Sequence, residues 1–347
     1  MKRYLFYIAH NYAFEILRPL QTEIRRRGHE VAWFVEGKEI NHRFFDVDEL
    51  VLHNIPQVID FAPRAVFVPG NVVPNFIPGL KVQIFHGFEW KKKGHFRDRG
   101  CFDLYCTQGP FFTARFMQMH RELQHFNVVE TGWPKTDTLF VAQPYQWAQK
   151  RETTTILYAP TFSPALTSAV DLYDEIVRLA ATNKQWQWLV KFHPKMSPQL
   201  VERYRSLTSD NLHIIDTAAL APVLQVADVM LSDTSSIITE FALLNKPIVT
   251  YKNKAPEEHL IDISCANDLE TALTQAINAD QDLINKIAES AHNMHPYADG
   301  KSSSRVLDAA EDMIAQPLNG RKNKPFNMLR MLKLRKKFAY WRGWIRV

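Results

Sequence analysis

The sequence predicts an α/β protein built from two doubly wound units in series. Apolar, strand-like runs alternate with helical segments along the chain, a pattern typical of parallel strands joined by crossover helices. The length of 347 residues, with 46% hydrophobic content, is enough for two domains with sizeable cores. A polar stretch at 141–155 interrupts the pattern, which then restarts. We therefore expect domains at 1–145 and 151–315, followed by a terminal segment at 321–347.

The elements of the first domain follow from local signals. RYLFYIA predicts a strand, residues 13–27 a helix, and HEVAWFV a second strand after the helix-stopping Gly28. Further strands are predicted by RAVFVPG, KVQIFHG and FDLYCTQG, each of which ends in a glycine. In such sheets ligands bind beyond the carboxyl ends of the strands, so the residues just after each strand carry the functional information.

The second domain repeats this arrangement. Strands are predicted by TILYAPT, QWLVKFHP, NLHIID, VMLSD and PIVTY, and helices near 169–182, 197–207 and 219–226. The polar stretch VAQPYQWAQKRETTT before the first of these strands is interpreted as a linker.

The cysteines, the N-terminal residues and the lengths of the apolar runs indicate where in the cell the protein resides. The three cysteines, Cys101, Cys106 and Cys265, show no CxxC spacing, which argues against a disulfide framework or a structural zinc site. The N-terminus has a basic start but no small-residue cleavage site, so we expect a first strand rather than a signal peptide. No stretch approaches the ~20 apolar residues that span a bilayer. These features favour a cytoplasmic protein, soluble or peripheral to a membrane.

The net charge of +5 comes from the C-terminal segment. Residues 321–347 contain 10 of the 42 Lys and Arg residues and no acidic residue, so the rest of the chain carries −5. Apolar residues of this segment follow helical spacing: Met331, Leu334, Phe338, Trp341 and Ile345. An amphipathic helix of this kind suits an anionic membrane surface and makes nucleic acid a weaker candidate partner. The alternative is a terminal helix that packs on the body and leaves a basic face in water.

The stretch LSDTSSIITEFALLNKPIVTY at 231–251 predicts a strand, a turn, a helix and a strand. Its hydroxyls at Thr234, Ser235 and Ser236 then lie at a helix N-terminus, where unpaired backbone N–H groups favour an anion such as phosphate. Plain helix capping is the alternative, but three hydroxyls in a row exceed what a cap requires.

Two histidines follow predicted strands and lie among lysines. His86 in KVQIFHGFEWKKKG precedes three lysines, and His193 in WLVKFHPKM lies between Lys191 and Lys195. An imidazole can act as a base near neutral pH, since its ordinary pKa is ~6.5. Histidine among lysines suits a site where a hydroxyl loses a proton and phosphate charge is held.

Six motifs occur in an order that resembles the CDP-glycerol glycerophosphotransferase family. They are HGFEWKKKG, TGWPKTDTL, ILYAPTF, VKFHP, ADVMLSDTSSIITEFALLNKPIVTY and DGKSSSRVLD, and they extend from about residue 80 to 310. The resemblance implies a GT-B-like fold, in which two Rossmann-type domains flank a cleft. It also implies that the second domain holds CDP-glycerol and that the acceptor approaches from the first.

The resemblance also implies roles for individual residues. His86 matches the family's proposed general base, and His193 matches its second catalytic histidine. The implied donor-binding set is Gly87, Thr161, Lys191, Asp233, Thr234, Ser235, Ser236 and Glu240. The implied acceptor- or phosphate-binding set is Lys92, Lys135 and Asp137.

Some positions depart from the family pattern. Phe162 and Ser163 replace a Trp-Arg pair that is common in the family, and Lys135 and Lys191 stand where Arg is usual. Glu240 stands where the family usually has Asp, a position that would reach the nucleotide ribose. Lysine presents a point charge rather than a two-pronged fork, so these substitutions bear on the identity of the donor.

The expected reaction is a direct displacement at phosphorus. His86 would take the proton of an acceptor hydroxyl as it attacks the β-phosphorus of CDP-glycerol, and CMP would leave. The sequence calls for no metal and no cofactor besides this substrate. The acceptor would be a cell-surface glycan or glycolipid, and the enzyme would work at the inner face of the cell membrane. A GT-B glycosyltransferase, a UDP-sugar 2-epimerase-like enzyme and a catalytically silent binding protein are the alternatives.

Overall fold

The computed structural model describes residues 1–37, 39–88, 90, 94–207, 209–217, 219–316 and 321–342. The chain divides into two compact units. The first unit comprises Met1–Thr138 and Met294–Val347, and the second comprises Leu139–Asn293.

The first unit is built on a seven-stranded parallel sheet. In chain order its strands are β1 (Arg3–Ile8), β2 (Glu30–Val35), β3 (Leu50–Leu52), β4 (Ala65–Val68), β5 (Leu80–Gln83), β6 (Leu104–Thr107) and β7 (Asn127–Glu130). Their spatial order is β3-β2-β1-β4-β5-β6-β7. The central strands β1 and β4 are almost entirely buried, as expected for apolar runs covered by helices on both faces.

Helices of this first part of the chain are α1 (Ala13–Arg26), α2 (Ile55–Phe61), α3 (Pro110–Leu123) and α4 (Pro134–Val141). A 3-10 turn occupies His42–Phe44. The buried face of α1 includes Ile16, Leu17 and Ile24, which recur at helical spacing.

The second unit contains a six-stranded parallel sheet. Its strands are β8 (Thr154–Tyr158), β9 (Trp186–Val190), β10 (Leu212–Ile214), β11 (Val229–Ser232), β12 (Ile248–Tyr251) and β13 (Ile261–Ile263), in the spatial order β10-β9-β8-β11-β12-β13. Its helices are α5 (Tyr173–Thr182), α6 (Pro198–Arg205), α7 (Leu220–Val226), α8 (Ile237–Ala242), α9 (Leu269–Ile277) and α10 (Gln281–Met294). The strand order reverses between β8 and β11, and ligands of such sheets bind at this point.

These two sheets confirm the predicted fold class of two Rossmann-like units. The predicted elements are present, with helix ends that differ by a few residues from those expected.

The division of the chain differs from the predicted boundaries of 1–145 and 151–315. Helix α11 (Ser302–Ala315) packs against α1, β5 and β6, so it belongs to the first unit. Its Val306, Leu307 and Ala310 are fully buried there. The amphipathic pattern predicts a buried helix but does not specify which of two similar sheets it covers.

The C-terminal segment packs on the first unit through α12 (Met328–Lys337). Met331 and Leu334 are buried, and the ring of Phe338 lies 5.6 Å from that of Phe34. Arg335 is also buried and donates hydrogen bonds to two backbone carbonyl groups that follow it. Met331, Leu334 and Phe338 of the predicted apolar stripe are therefore covered by protein, and the contact of the segment with a membrane surface stays a prediction.

Other apolar residues of this segment are exposed, together with Trp341 of the stripe. Phe326, Leu329 and Trp341 expose 75%, 70% and 49% of their surface. Ile345 lies outside the described residues. In the part of the chain that the structure describes, no helix has both the length and the apolar character needed to cross a bilayer.

Candidate active site

Loops after three neighbouring strands of the second unit, β9, β8 and β11, carry most of the predicted donor-binding residues. Asp233 follows β11, is fully buried, and joins its own loop to the loop after β8. Its carboxylate accepts hydrogen bonds from the backbone N–H groups of Thr161 at 3.0 Å and Thr234 at 2.7 Å. It also accepts from the backbone and the hydroxyl of Ser168, both at 3.0 Å. These are the contacts of a positioning residue rather than of a group that touches the donor.

The hydroxyl run after Asp233 is not used up by helix capping. Ser236 is the N-cap residue of α8, yet within the described residues its side chain makes no capping hydrogen bond. Ser235 is half-buried and Ser236 is exposed. The hydroxyl of Thr234 accepts a hydrogen bond from the backbone N–H of Lys254 at 3.3 Å. The hydroxyl of Thr234 thus serves the loop, and the donor-binding role of the two serines stays a prediction.

The imidazole of His193 has a defined protonation state. Its Nδ1 lies 3.0 Å from the backbone N–H of Lys195, so Nδ1 accepts and the ring proton is on Nε2. Burial, and then the charges of Lys195 and Lys191, lower the pKa of His193 below its usual range. His193 is therefore neutral near pH 7 and presents an N–H donor, which suits it to bind a phosphoryl oxygen rather than to remove a proton.

An aromatic ring supports this histidine. Phe162 stacks on His193 with ring centroids 4.4 Å apart, and Nζ of Lys195 lies 5.8 Å from the Phe162 ring. Phe162 was noted in the sequence only as a departure from the family pattern. Its position one residue after Thr161, in the loop that follows β8, was the available signal for its role.

The remaining predicted residues of the second unit lie in the same loops. Lys191 directly follows β9 and is half-buried, and Glu240 lies in the first turn of α8. Asn253, which the sequence did not single out, donates to the backbone carbonyl of Asp233 at 2.9 Å. The signal that could have found Asn253 is its place just after strand β12.

In the first unit, His86 follows β5 in a loop that is fixed on both sides. The carbonyl of Phe85 accepts from the indole N–H of Trp133 at 3.4 Å, and that of Gly87 accepts from Gln108 at 2.9 Å. Phe85 has φ of +59°, a left-handed conformation that is unfavourable for a bulky residue and persists where its surroundings enforce it. The loop therefore holds the backbone on either side of the candidate base.

An aromatic ring also lies beside His86. The centroid of the Tyr12 ring is 5.6 Å from that of His86, and the ring of His10 stacks on Tyr12 with centroids 5.3 Å apart. Tyr12 is 40% exposed, so it offers a surface next to the candidate base.

The TGWPKTD motif, residues 131–137, contacts the loop of His86 through Trp133 and caps helix α11 through Asp137. Lys135 lies 3.4 Å from the Glu15 carboxylate and 5.5 Å from the Trp133 ring. Asp137 is buried, and its two oxygens accept from the backbone N–H groups of Ser302 and Ser303, each at 2.7 Å. Asp137 thus caps α11, and this contact corrects its predicted role at an acceptor or phosphate. Lys92 lies outside the described residues.

Gly132 in the same motif requires its glycine. Its φ is +80°, and a Cβ atom there would lie 2.4 Å from the hydroxyl of Ser302 and 2.8 Å from Nε2 of His295.

Among the described residues, no group of three or more His, Cys, Asp or Glu side chains has a geometry that could hold a metal ion.

Residues 89–257, just under half of the chain, match the family model described as CDP-glycerol:poly(glycerophosphate) glycerophosphotransferase. The teichoic acid glycerol-phosphate primase of Bacillus subtilis (strain 168) is 26% identical over 234 residues, which cover 61% of this chain and 58% of that protein. The teichoic acid ribitol-phosphate polymerase TarK of Staphylococcus aureus is 27% identical over 227 residues, covering 58% and 43%. The chain thus spans about half the length of these curated relatives.

Solved structures share the fold. A Listeria monocytogenes protein assigned as a UDP-N-acetylglucosamine 2-epimerase has a TM-score of 0.66 at 12% identity, and the match covers 94% of this chain and 100% of that one. The wall teichoic acid polymerase TagF has a TM-score of 0.61 at 13% identity, covering 91% and 90%. At these identities the likeness shows the fold alone. The family model and the curated relatives confirm the resemblance that the motifs indicated: this chain is related to the CDP-glycerol glycerophosphotransferase family.

Proposed function

We propose that the protein transfers glycerol phosphate from CDP-glycerol to a hydroxyl group of a cell-surface glycan or glycolipid and releases CMP. The observation that carries this proposal is a group of hydrogen-bond donors in the second unit that could bind a phosphate. The N–H of neutral His193 and the hydroxyls of Ser235 and Ser236 lie in loops at the carboxyl edge of one sheet. The match of residues 89–257 to a glycerophosphotransferase family supports the choice of donor.

The donor pyrophosphate would bind to these hydroxyls and to His193, with charge supplied by Lys191 and Lys195. Neutral and cationic donors together stabilise the negative charge that develops on phosphoryl oxygens. Phe162 would keep the His193 ring in place while Asp233 holds the loops.

The acceptor hydroxyl would attack the β-phosphorus and give its proton to His86. The new bond joins the acceptor oxygen to the β-phosphorus, and the bond that breaks joins the bridging oxygen to that phosphorus, so CMP leaves with the bridging oxygen. Positioning by the fixed loop around His86 supports the role of general base.

Nucleotide release tests this proposal. The purified chain would be incubated with an acceptor glycolipid and, in separate reactions, CDP-glycerol, CDP-ribitol, UDP-glucose or UDP-N-acetylglucosamine. We expect CMP only with a CDP-polyol, together with an acceptor whose mass increases by one polyol phosphate. Release of UDP, or epimerisation of the UDP-sugar, would instead identify a sugar-nucleotide enzyme and reject the proposal.

We further infer that the enzyme works at an anionic membrane surface on the side of the soluble donor, the cytoplasmic face. The exposed apolar side chains of Phe326 and Leu329 belong to the same segment as the exposed cations Lys333 and Lys336. Aromatic and aliphatic residues beside lysines favour the surface of an anionic bilayer. We therefore place the proposed membrane contact at these exposed residues rather than at the buried Met331 and Leu334. Trp344 lies outside the described residues.

A further inference from the structure

A cavity of about 480 Å³ lies in the second unit beside the edge strand β10. Its volume is within the ~300 to 1,000 Å³ typical of small-molecule sites. It is lined partly by the stretch that the sequence predicted to be a linker, through Tyr145 and Trp147. Its lining includes none of the residues assigned above to the donor site, and strands β9 and β8 separate β10 from β11.

The aromatic part of the lining is a group of three rings. Tyr145 and Trp147 are nearly parallel, with centroids 6.1 Å apart and an angle of 15° between their planes. The centroid of His213 lies 6.0 Å from that of Trp147. Aromatic side chains of this kind combine an apolar face with a polar edge.

Two polar atoms of this group are buried without a partner among the described residues, Nε1 of Trp147 and Nε2 of His213. Leaving a buried polar group unsatisfied costs about 1 to 3 kcal/mol. The indole can only donate, whereas the neutral imidazole donates from one nitrogen and accepts at the other. Because neither atom is accessible to solvent, a ligand in the cavity meets the carbon atoms of these rings rather than the two nitrogens.

The cavity lining has one cationic and one anionic side chain that pair with each other, so it does not favour an anionic ligand. Arg205 is paired with Asp216 at 2.6 Å, so its charge is compensated within the lining. Burial, followed by the charge of Arg151, lowers the pKa of His213, which keeps the ring neutral near pH 7. The carboxylate of Asp216 and the guanidinium of Arg205, beside aromatic rings, fit a neutral ligand that has both hydroxyl groups and C–H surface.

We propose that the cavity at Tyr145, Trp147, Arg205, His213 and Asp216 is a binding site for a sugar unit, with the rings against its C–H groups and the polar side chains on its hydroxyls. The further step, that this sugar belongs to the acceptor glycan, rests on the proposed function. The second unit would then hold part of the acceptor at a place separate from the reacting phosphorus.

Ligand-observed NMR with the full chain tests the site directly. Saturation transfer would be measured to glucose and N-acetylglucosamine, with inorganic phosphate and CMP as competitors. We expect transfer to at least one sugar at millimolar concentration, undisturbed by phosphate or CMP. Trp147→Ala, which removes the ring from the lining, should weaken the sugar about tenfold.

A second pair of variants keeps the test independent of the folding of that variant. Arg205→Gln removes a half-exposed cation of the cavity, while Arg178→Gln removes a similarly exposed and ion-paired cation on α5. Only Arg205→Gln should weaken the sugar. The site is rejected if neither sugar binds at tens of millimolar, if CMP displaces the sugar, or if Trp147→Ala and Arg205→Gln both bind as wild type does. Sugar binding without CMP release from CDP-glycerol would reject the proposed function and leave the site standing.

Discussion

Nε2 of His295 lies 3.0 Å from the backbone nitrogen of Trp133 and accepts its N–H hydrogen bond across 162 positions of sequence. Thr136 Oγ1 lies 2.9 Å from Nε2 of His295. The indole of Trp133 in turn donates to the carbonyl of Phe85, the residue before His86. A buried, uncharged histidine near the end of the chain thus supports the loop of the candidate base.

This relationship makes the stability of the first unit depend on pH. Burial lowers the pKa of His295 from 6.5 to about 4. Between these values the unfolded chain binds a proton that the folded chain does not, so the free energy of unfolding falls as pH drops from about 6.5 to about 4. The contribution present above pH 6.5 is on the order of 3 kcal/mol.

The His295→Gln variant checks this dependence, because its amide oxygen can still accept from Trp133 but does not titrate. Thermal unfolding measured from pH 7.5 to 4 should show a steeper loss of Tm in the wild-type protein than in the variant. Parallel curves would mean that His295 does not cause the pH dependence.

Replacing Ser235 and Ser236 together by alanine should weaken CDP-glycerol binding and leave the fold intact. Each hydroxyl that bonds to a charged phosphate contributes about 1.5 to 3 kcal/mol. Calorimetric titration with CDP-glycerol measures the change, with Ser197→Ala, before α6, as the control. Unchanged donor affinity in the folded double variant would reduce the pair to loop residues.

Asp233→Asn should act on stability before it acts on binding. The asparagine NH₂ group would face backbone N–H groups that Asp233 now satisfies, which costs about 2 to 4 kcal/mol. Denaturant unfolding should show this loss, whereas Asp171→Asn, which removes an exposed partner of Lys252, should cost less than about 1 kcal/mol. Equal stability of the two variants would contradict the positioning role.

His86→Ala should reduce turnover far more than donor binding. General base catalysis contributes roughly 10² to 10⁴ in rate, while the donor is proposed to bind to the second unit. CMP release and CDP-glycerol affinity would be measured in parallel, with the exposed His53→Ala as control. Normal turnover of the His86 variant would exclude this residue as the base.

The exposed surface of the C-terminal segment should govern vesicle binding. Deleting the segment would also remove Met331, Leu334 and Phe338 from the packing of the first unit, so surface substitutions are the cleaner test. Phe326→Ser with Leu329→Ser, and separately Lys333→Glu with Lys336→Glu, should each reduce sedimentation with vesicles that contain phosphatidylglycerol. Wild-type binding should weaken as salt rises, since surface charges are screened within ~8 Å at physiological ionic strength.

Activity on a short water-soluble acceptor should remain unchanged in both surface variants, because these residues lie outside the candidate site. Vesicle binding equal to wild type in both variants would remove the membrane assignment.

The sequence by itself determined the alternation of strands and helices, because apolar periodicity and helix-stopping residues are local properties. It also located His86, His193 and the serine pair after strands, since parallel strands place their functional residues in those loops. The sequence could not predict the neutral state of His193, because that state depends on a backbone N–H and on the packing of Phe162.

Tertiary structure alone showed that two acidic residues of the motifs hold backbone N–H groups. Asp137 and Asp233 stand in motif positions, yet their oxygens accept from backbone N–H groups, and a capping carboxylate and a ligand-binding one have the same local sequence pattern. It also decided that α11 and α12 return to the first unit. An amphipathic helix buries its apolar stripe against a sheet or a bilayer with equal local preference, and only the shape of the surface that receives it makes the choice.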